Sequence, residues 1–345
     1  MDGSGLVRDI EGVGRSGCTF RELVVAAGHA IGRRVPFDSF CAATFDPTTV
    51  VPTWTIRHAR VPTELVARWV AIENTMPQHF NIADIPQRGQ IRTSLLSEET
   101  DGVLDRSVRY REIYRGVELE HELRVFLRAG GLVWGGLSLM RDLSEPDFAP
   151  EEVALVGGVS TTLAEALRRT FLHGPTMGTR DDAPAVLILT SDDHVASSTV
   201  AAELLLDELA DVGPPDPEKL PTAIRVVVLR ARQGARPARS SVHTPDGRWL
   251  TVRAAMLDGG ERVAVVVEPM APAAAATLVL AAHGLSAREI EIAHCVRRGL
   301  STEDVSEMLD ISEYTVQDHL KSVFDKTGLG SRKELAALLF FAVGA

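Results

Sequence analysis

The last sixty or so residues carry the pattern that most constrains the fold, a series of helix-capping signals at short intervals. Ser286, Ser301 and Ser331 are each followed three residues later by Glu or Asp. In this spacing the hydroxyl and the carboxylate bond the free N–H groups of a first helical turn. Ser312 is an N-cap candidate, and Gly328 stands where a helix commonly ends. The pattern predicts four short helices, over 287–298, 302–309, 313–327 and 332–343.

The third of these helices has one apolar and one polar side. Its apolar stripe consists of Val316, Leu320, Val323 and Phe324. Its opposite side carries Tyr314, Gln317, Asp318, Lys321 and Asp325. A turn over 310–312 joins it to the preceding helix. A short helix pair of this kind places its second helix in the major groove of DNA, so we expect a nucleic-acid-binding unit.

The same segment resembles the LuxR/GerE-type helix-turn-helix family. The resemblance rests on L-S-x-R-E at 285–289, G-L-S at 299–301, I-S-x-x-T-V-x-x-H-L at 311–320, K-T-G at 326–328 and S-R-x-E-L at 331–335. It implies a transcription regulator that binds double-stranded promoter DNA. The expected role in transcription comes from this resemblance, whereas the predicted helix boundaries come from the capping residues themselves.

The resemblance also implies which residues contact DNA. Gln317, Asp318 and Lys321 occupy base-facing positions of the family. Phosphate-facing positions fall on Thr315 and on the Ser312 and Ser301 regions, and Arg332 lies near the backbone. Tyr314 either stacks against a sugar or covers the turn. The predicted DNA-binding set is Ser312, Tyr314, Thr315, Gln317, Asp318, Lys321 and Arg332.

Pairing of two chains is the next expectation. The fourth helix, with Leu335, Leu338 and Leu339, resembles the element through which such domains often pair. The helix after Pro150 offers a second apolar side. We therefore expect a homodimer that contacts two half-sites.

Charge departs from what DNA binding favours. The chain has a net charge of −11, and residues 284–345 hold seven Lys and Arg against ten Asp and Glu. Three of the four lysines nevertheless lie there, namely Lys321, Lys326 and Lys333. Weak binding by a single domain is expected, because phosphate contact needs positive charge. The alternative is a protein-interaction regulator whose acidic helix-turn-helix docks onto another transcription component; RNA polymerase is a candidate partner in either case.

Two α+β units are predicted before this segment. Residues 1–16 are expected to be a flexible tail, and residues 17–173 resemble a GAF domain in their order of helix, two strands, irregular middle, hairpin and closing helix. A linker over 174–184 leads to residues 185–270, a PAS-like unit with an antiparallel sheet in which 223–232 is a predicted strand. A connector over 271–283 precedes the all-α domain at 284–345. The fold class is multidomain α+β.

No catalytic motif is found. The chain has no Gly-x-Ser-x-Gly elbow and no P-loop, and the G-x-G-x-x-G at 12–17 lacks a preceding strand. Three scattered cysteines and the histidines at 58, 79 and 121 fit no ligand motif, so no metal or cofactor is expected. Glu118, Glu120 and Glu122 alternate with apolar residues and are interpreted as a solvated strand face.

Location and signal complete the expectations. The start, rich in acids and glycines, differs from a signal peptide, and no apolar stretch is long enough for a bilayer, which favours a cytoplasmic protein. The sensed signal is a small molecule or a protein. If it is a small molecule, the irregular segment 74–119 is expected to help form an apolar pocket in the GAF-like unit.

Overall fold

The computed structural model describes residues 3–15, 18–58, 60–76, 81–172, 183–213, 220–234, 238–244 and 248–341. The strands are β1 Ser39–Phe45, β2 Pro52–His58, β3 Thr93–Leu95, β4 Leu119–Ala129, β5 Leu132–Asp142, β6 Ala185–Leu189, β7 Val195–Ser198, β8 Arg239–His243, β9 Trp249–Leu257 and β10 Arg262–Pro269. The helices are α1 Gly3–Arg15, α2 Phe20–Gly32, α3 Val66–Thr75, α4 Leu96–Glu99, α5 Pro150–Thr170, α6 Val200–Glu208, α7 Thr222–Arg232, α8 Pro272–Ala282, α9 Ala287–Arg297, α10 Thr302–Leu309, α11 Glu313–Thr327 and α12 Arg332–Phe341. Among these described helices, none has the length and apolar character needed to cross a membrane.

Two five-stranded antiparallel sheets share one strand order. The first runs β2-β1-β5-β4-β3 and the second β7-β6-β10-β9-β8, which is the same order when strands are counted within each sheet. The regular elements described after Ala271 are all helices. The prediction of a multidomain α+β protein, with two sheet units followed by an all-α unit, is confirmed.

The first sheet has two chemically different faces. One face is apolar and packs against α2 and α5, and α1 packs on these two helices. Leu123 and Trp134 of the sheet and Leu163 of α5 are almost fully buried. The other carries Glu122 and Arg124, which are also buried. The expectation that Glu122 lies on a solvated strand face is therefore wrong.

Glu122 is held by an ion network rather than by water. Its carboxylate lies 2.7 Å from Arg109 Nη2 and 2.8 Å from Arg124 Nε, and it accepts a 2.8 Å hydrogen bond from the Tyr114 hydroxyl. Burial alone raises the pKa of Glu122, but these positive neighbours lower it to about 2. Two of these partners, Arg109 and Tyr114, come from the segment 81–118, and sequence alternation alone could not reveal that they bury Glu122.

The predicted flexible tail is wrong for residues 3–15, which form α1. Leu6 and Ile10 are almost fully buried against the first core. Glycine here serves close packing, since a Cβ on Gly14 would lie 2.9 Å from the Cβ of Ala166 in α5. Gly12 also lies in this helix, whereas Gly17 is outside the described residues.

The predicted strand at 223–232 is also wrong, because these residues form α7. Ile224, Val226, Val227 and Val228 are all buried, and the helix contacts β9, β2 and α3. A helix that is buried on several sides has apolar residues all round, so its sequence lacks the 3.6-residue alternation of apolar and polar positions. A short run of β-branched residues then resembles a strand.

The two sheet units share a core. Val51, Val66 and Val70 of the first pack with the residues that fill the second. The N–H of Val212 donates to Thr55 O at 2.9 Å, and Arg57 N–H donates to Val212 O at 2.8 Å, so residue 212 extends the edge of β2. The helical unit is joined in turn, because Ala281 and Ala282 of α8 belong to the first core.

Candidate nucleic-acid interface

The turn between α10 and α11 has defined geometry. α10 begins with a capping box, in which Ser301 N–H donates to Asp304 at 2.8 Å and Asp304 N–H donates to Ser301 Oγ at 3.1 Å. It ends at Asp310 in the left-handed conformation, with φ 52°. The N–H of Ile311 then donates to Ser306 O at 3.1 Å. Two short helices follow one another as the spacing predicts.

The apolar stripe of α11 faces the core of the helical unit. Val316, Leu320 and Val323 are buried there, together with Val305 of α10. Cys295 of α9 belongs to the same cluster. Burial of this stripe fixes which side of α11 points outward.

The outward side carries the three residues predicted to face the bases, together with Tyr314. Gln317, Asp318 and Lys321 are exposed, and Tyr314 has 74% of its surface accessible. Lys321 forms no ion pair with any described residue. Asp318 and Asp325 lie about one helical turn to either side of it. Hydrogen-bond donors and acceptors are thus both available on one exposed side of the helix.

The sequence comparison agrees with this geometry. Residues 283–339 match the family of bacterial regulatory proteins described as luxR family, GerE. These residues are a LuxR-type helix-turn-helix domain. The chain has no match among curated proteins.

Solved structures give weak similarity over a wider range. Escherichia coli SdiA is 13% identical, with a TM-score of 0.31, covering 99% of this chain and 98% of that chain. A phage VqmA–DPO complex is 16% identical, with a TM-score of 0.26, covering 47% of this chain and 84% of that chain. Both scores are too low to establish a shared overall fold.

The N-terminus of α11 in the LuxR-type domain uses two of the predicted residues internally. Ser312 Oγ accepts a 3.1 Å hydrogen bond from Thr315 N–H and lies 2.8 Å from Thr315 Oγ1. Ser312 is exposed and Thr315 is half-buried. The two hydroxyls bond to each other, so their first role is to cap the helix.

Arg332 lies in a different environment from the exposed side of α11. It is half-buried, and its Nη1 donates to Leu300 O at 3.1 Å. This contact ties the start of α12 to the segment between α9 and α10. The structure therefore does not gather Arg332 with the exposed residues of α11.

The expected pairing surface on α12 is wrong for two of its three leucines. Leu335 and Leu339 are almost fully buried in the core of the LuxR-type domain, and Leu338 is half-buried. α12 contacts α8 and α9, and its leucines bury the apolar sides of these two helices. A leucine stripe predicts burial but does not distinguish a partner within the chain from one outside it.

The domain contains an internal ion pair, between Glu289 and Lys326, that the spacing of the sequence does not predict. Glu289 accepts hydrogen bonds from Lys326 Nζ at 2.7 Å and Ser322 Oγ at 2.6 Å, while also capping α9 through Ser286. Lys326, counted above among the local positive charges, is thereby neutralised. The capping box revealed the first role of Glu289, but only the packing of α9 on α11 reveals the second.

The domain also contacts the N-terminal units. α8 is bonded to α9 through Thr277 Oγ1 and His294 Nε2, which lie 2.8 Å apart. Arg168 of α5 donates to Ala282 O at the end of α8. Burial, and then the charge of Arg297, lower the pKa of His294, which favours its neutral form at this contact.

Proposed function

We propose that the protein is a transcription regulator whose LuxR-type domain binds double-stranded promoter DNA through α11. The observation that carries this is the exposed set of Gln317, Asp318 and Lys321 on a helix whose other side is fixed in a core. Gln pairs with adenine, Asp accepts from cytosine, and Lys reaches guanine or phosphate. Ser312, Tyr314 and Thr315 lie at the start of the same helix and face the backbone in this proposal.

Binding as a homodimer is the second part of the proposal. The acidic balance of residues 284–345 makes one domain a weak ligand for phosphate, and two half-sites compensate for that. The contact between copies uses a surface other than Leu335 and Leu339, because those side chains fill the core.

The N-terminal units sense the signal in this proposal, with boundaries near 17–173 and 185–270 and with α1 added to the first unit. A small molecule or a protein binds there, and contacts through α8 transmit the effect to the LuxR-type domain. No covalent chemistry is involved. A cytoplasmic location is proposed with it.

A second candidate is favoured by the excess of Asp and Glu in residues 284–345. In it the domain docks onto another transcription component, such as RNA polymerase, without contacting DNA. The DNA affinity of a surface that contacts phosphates falls steeply as salt concentration rises. A domain that contacts only a protein partner binds that partner without DNA.

A footprint and a salt series test the proposal. The protein is titrated onto its own upstream DNA and onto a shuffled sequence of equal length, at several salt concentrations. We expect a protected site and a binding constant whose logarithm falls linearly with the logarithm of salt concentration. Absence of protection on any fragment of that region, together with co-purification with RNA polymerase, would favour the second candidate.

A further inference from the structure

A small cavity lies between the polar face of the first sheet and α3. Its volume is about 80 Å³. Its apolar wall includes Val66, Val70, Ile82 and Phe126. Of the aromatic side chains that could fill it, Trp69 lines the wall, Trp134 is buried on the opposite face of the sheet, and Phe80 is outside the described residues.

Asn74 contributes an unused acceptor to this cavity. Its Nδ2 donates to Val70 O at 2.8 Å, which fixes the orientation of the amide. The Oδ1 atom is buried and has no hydrogen-bond partner among the described residues, and the whole residue is 8% exposed. Buried polar atoms without partners are rare in folded proteins, so this oxygen indicates a donor that the described part of the chain does not supply.

Arg57 contributes an unused donor to the same cavity. Its Nη1 donates to Thr55 Oγ1 at 2.8 Å and to Thr222 Oγ1 at 3.3 Å, and it lies 3.7 Å from Asp211. The Nε–H group is buried and has no acceptor among the described residues. Arg57 is 7% exposed. Two residues that line one cavity thus carry an acceptor and a donor without partners among the described residues.

The charges around the cavity are already balanced. Arg124 lies 2.6 Å from Glu73 Oε1 and 2.8 Å from Glu122, and Arg57 faces Asp211. An added ion would lose its hydration without gaining an unpaired counter-charge. An uncharged ligand that carries its own donor and acceptor meets the two unused atoms without that cost.

The cavity also touches the junction between the two sheet units. Thr222 lines it and begins α7, and Asp211 accepts hydrogen bonds from Thr222 N–H, Thr222 Oγ1 and Thr55 N–H at 2.7–2.8 Å. Arg57 bonds to the Thr222 hydroxyl from the other side. A ligand that contacts Arg57 therefore changes the stability of the hydrogen bonds that hold the second unit to β2.

We propose that this cavity binds a small uncharged molecule with a neighbouring donor and acceptor, such as a short primary amide, and that binding tightens the junction at Asp211 and Val212. The proposal deepens the sensing role given above and does not depend on DNA binding. Its volume of about 80 Å³ suits a ligand of roughly three or four non-hydrogen atoms, because a cavity of about 150 Å³ holds the six carbon atoms of benzene.

Three probes that have four non-hydrogen atoms each but differ in charge test the ligand class. Acetamide, acetate and isopropylamine are each added to the full chain, and Tm and amide hydrogen exchange are measured. Acetamide should raise Tm by about 2 °C at several times its Kd, and the other two should not. Exchange of the Arg57 and Val212 amides should slow in its presence.

Two variants and a control make the test specific. Asn74→Leu removes the acceptor and Ala43→Leu fills the cavity from β1, so both should abolish the response to acetamide. Gln233→Leu, an amide substitution at the exposed end of α7, should leave it unchanged. Equal responses to all three probes, no response to any, or a response retained in both cavity variants would overturn the site. Binding with slowed exchange but unaltered DNA affinity would overturn the sensing role and leave the site intact.

Discussion

The Lys326 ammonium lies 2.7 Å from Oε2 of Glu289, and this ion pair joins the first and third helices of the LuxR-type domain. Glu289 is only 4% exposed and also accepts from Ser286 N–H at the start of α9. One carboxylate thus caps one helix and positions another. The exposed side of α11 takes its direction partly from this contact.

Glu289→Gln should destabilise the LuxR-type domain. Burial alone raises the pKa of Glu289, but hydrogen bonds from Lys326, Ser322 and Ser286 lower it to about 2. A carboxyl whose pKa is lower in the folded than in the unfolded chain stabilises the fold fully at pH values above its unfolded pKa. This stabilisation is lost as the pH falls towards the folded pKa of about 2. We expect the free energy of unfolding to drop by about 2 kcal/mol at pH 7, since one partner of a buried pair is removed while Lys326 keeps access to water.

The control for that experiment is Glu291→Gln. Glu291 pairs with Arg288 at 2.8 Å, but 54% of its side chain is exposed. Such a surface pair contributes less than about 1 kcal/mol. Denaturant unfolding at pH 7 and at pH 3 measures both variants, and the deficit of Glu289→Gln should shrink at the lower pH. A deficit that is equal for the two variants, or independent of pH, would contradict the assigned role.

Lys321→Ala should weaken DNA binding without unfolding the domain. Lys321 is exposed and has no ion pair with a described residue, so we expect a loss of about 1–3 kcal/mol per protomer. Gln317→Ala should change sequence preference more than affinity for random DNA. Mobility-shift titration measures both, with circular dichroism to confirm folding.

The control is Arg239→Ala, which removes one exposed charge from β8 and should bind DNA normally. Unchanged binding by a folded Lys321→Ala, Gln317→Ala double variant would contradict direct readout of the bases by α11.

Gly284→Ala should loosen the joint between α5 and the LuxR-type domain. Gly284 has φ +82°, and a Cβ there would lie 2.8 Å from Arg168 Nη1. The substitution strains the backbone and displaces the side chain that bonds Ala282 O, so stability should fall by at least about 1 kcal/mol. Gly158→Ala is the matched control, because Gly158 lies within α5 with open space at its Cβ and should gain about 0.5–1 kcal/mol. Thermal unfolding that ranks the two in the opposite order would refute this account of residue 284.

Leu335→Ala should reduce folding stability rather than pairing alone. Leu335 is fully buried in its own domain, and removing such a side chain costs about 2–5 kcal/mol. Leu338→Ala, at a half-buried position of the same helix, should cost much less. Chemical unfolding at two protein concentrations separates the effects. A Leu335→Ala protein with unchanged stability but a lower molecular mass in sedimentation would restore α12 as the pairing surface.

Local signals in the sequence were sufficient for the LuxR-type domain. Ser286, Ser301 and Ser312 cap the helices that their spacing predicts, and Gly328 ends α11 with φ 72°. Such signals act within one helical turn, so neighbouring residues determine them. The exposure of Gln317 and Lys321 followed from the same reasoning, because an apolar stripe fixes the opposite side of a helix.

Tertiary structure decided the features that depend on distant partners. α7 is a helix because the two sheet units cover it from several sides, and Glu122 is buried because Arg109 and Tyr114 arrive from a segment without periodicity. Leu335 packs within its own chain for the same kind of reason. A residue's type fixes what contact would stabilise it, while the partner that provides the contact lies far along the chain. Only the assembled fold shows whether that partner is water, another part of the chain or a bound molecule.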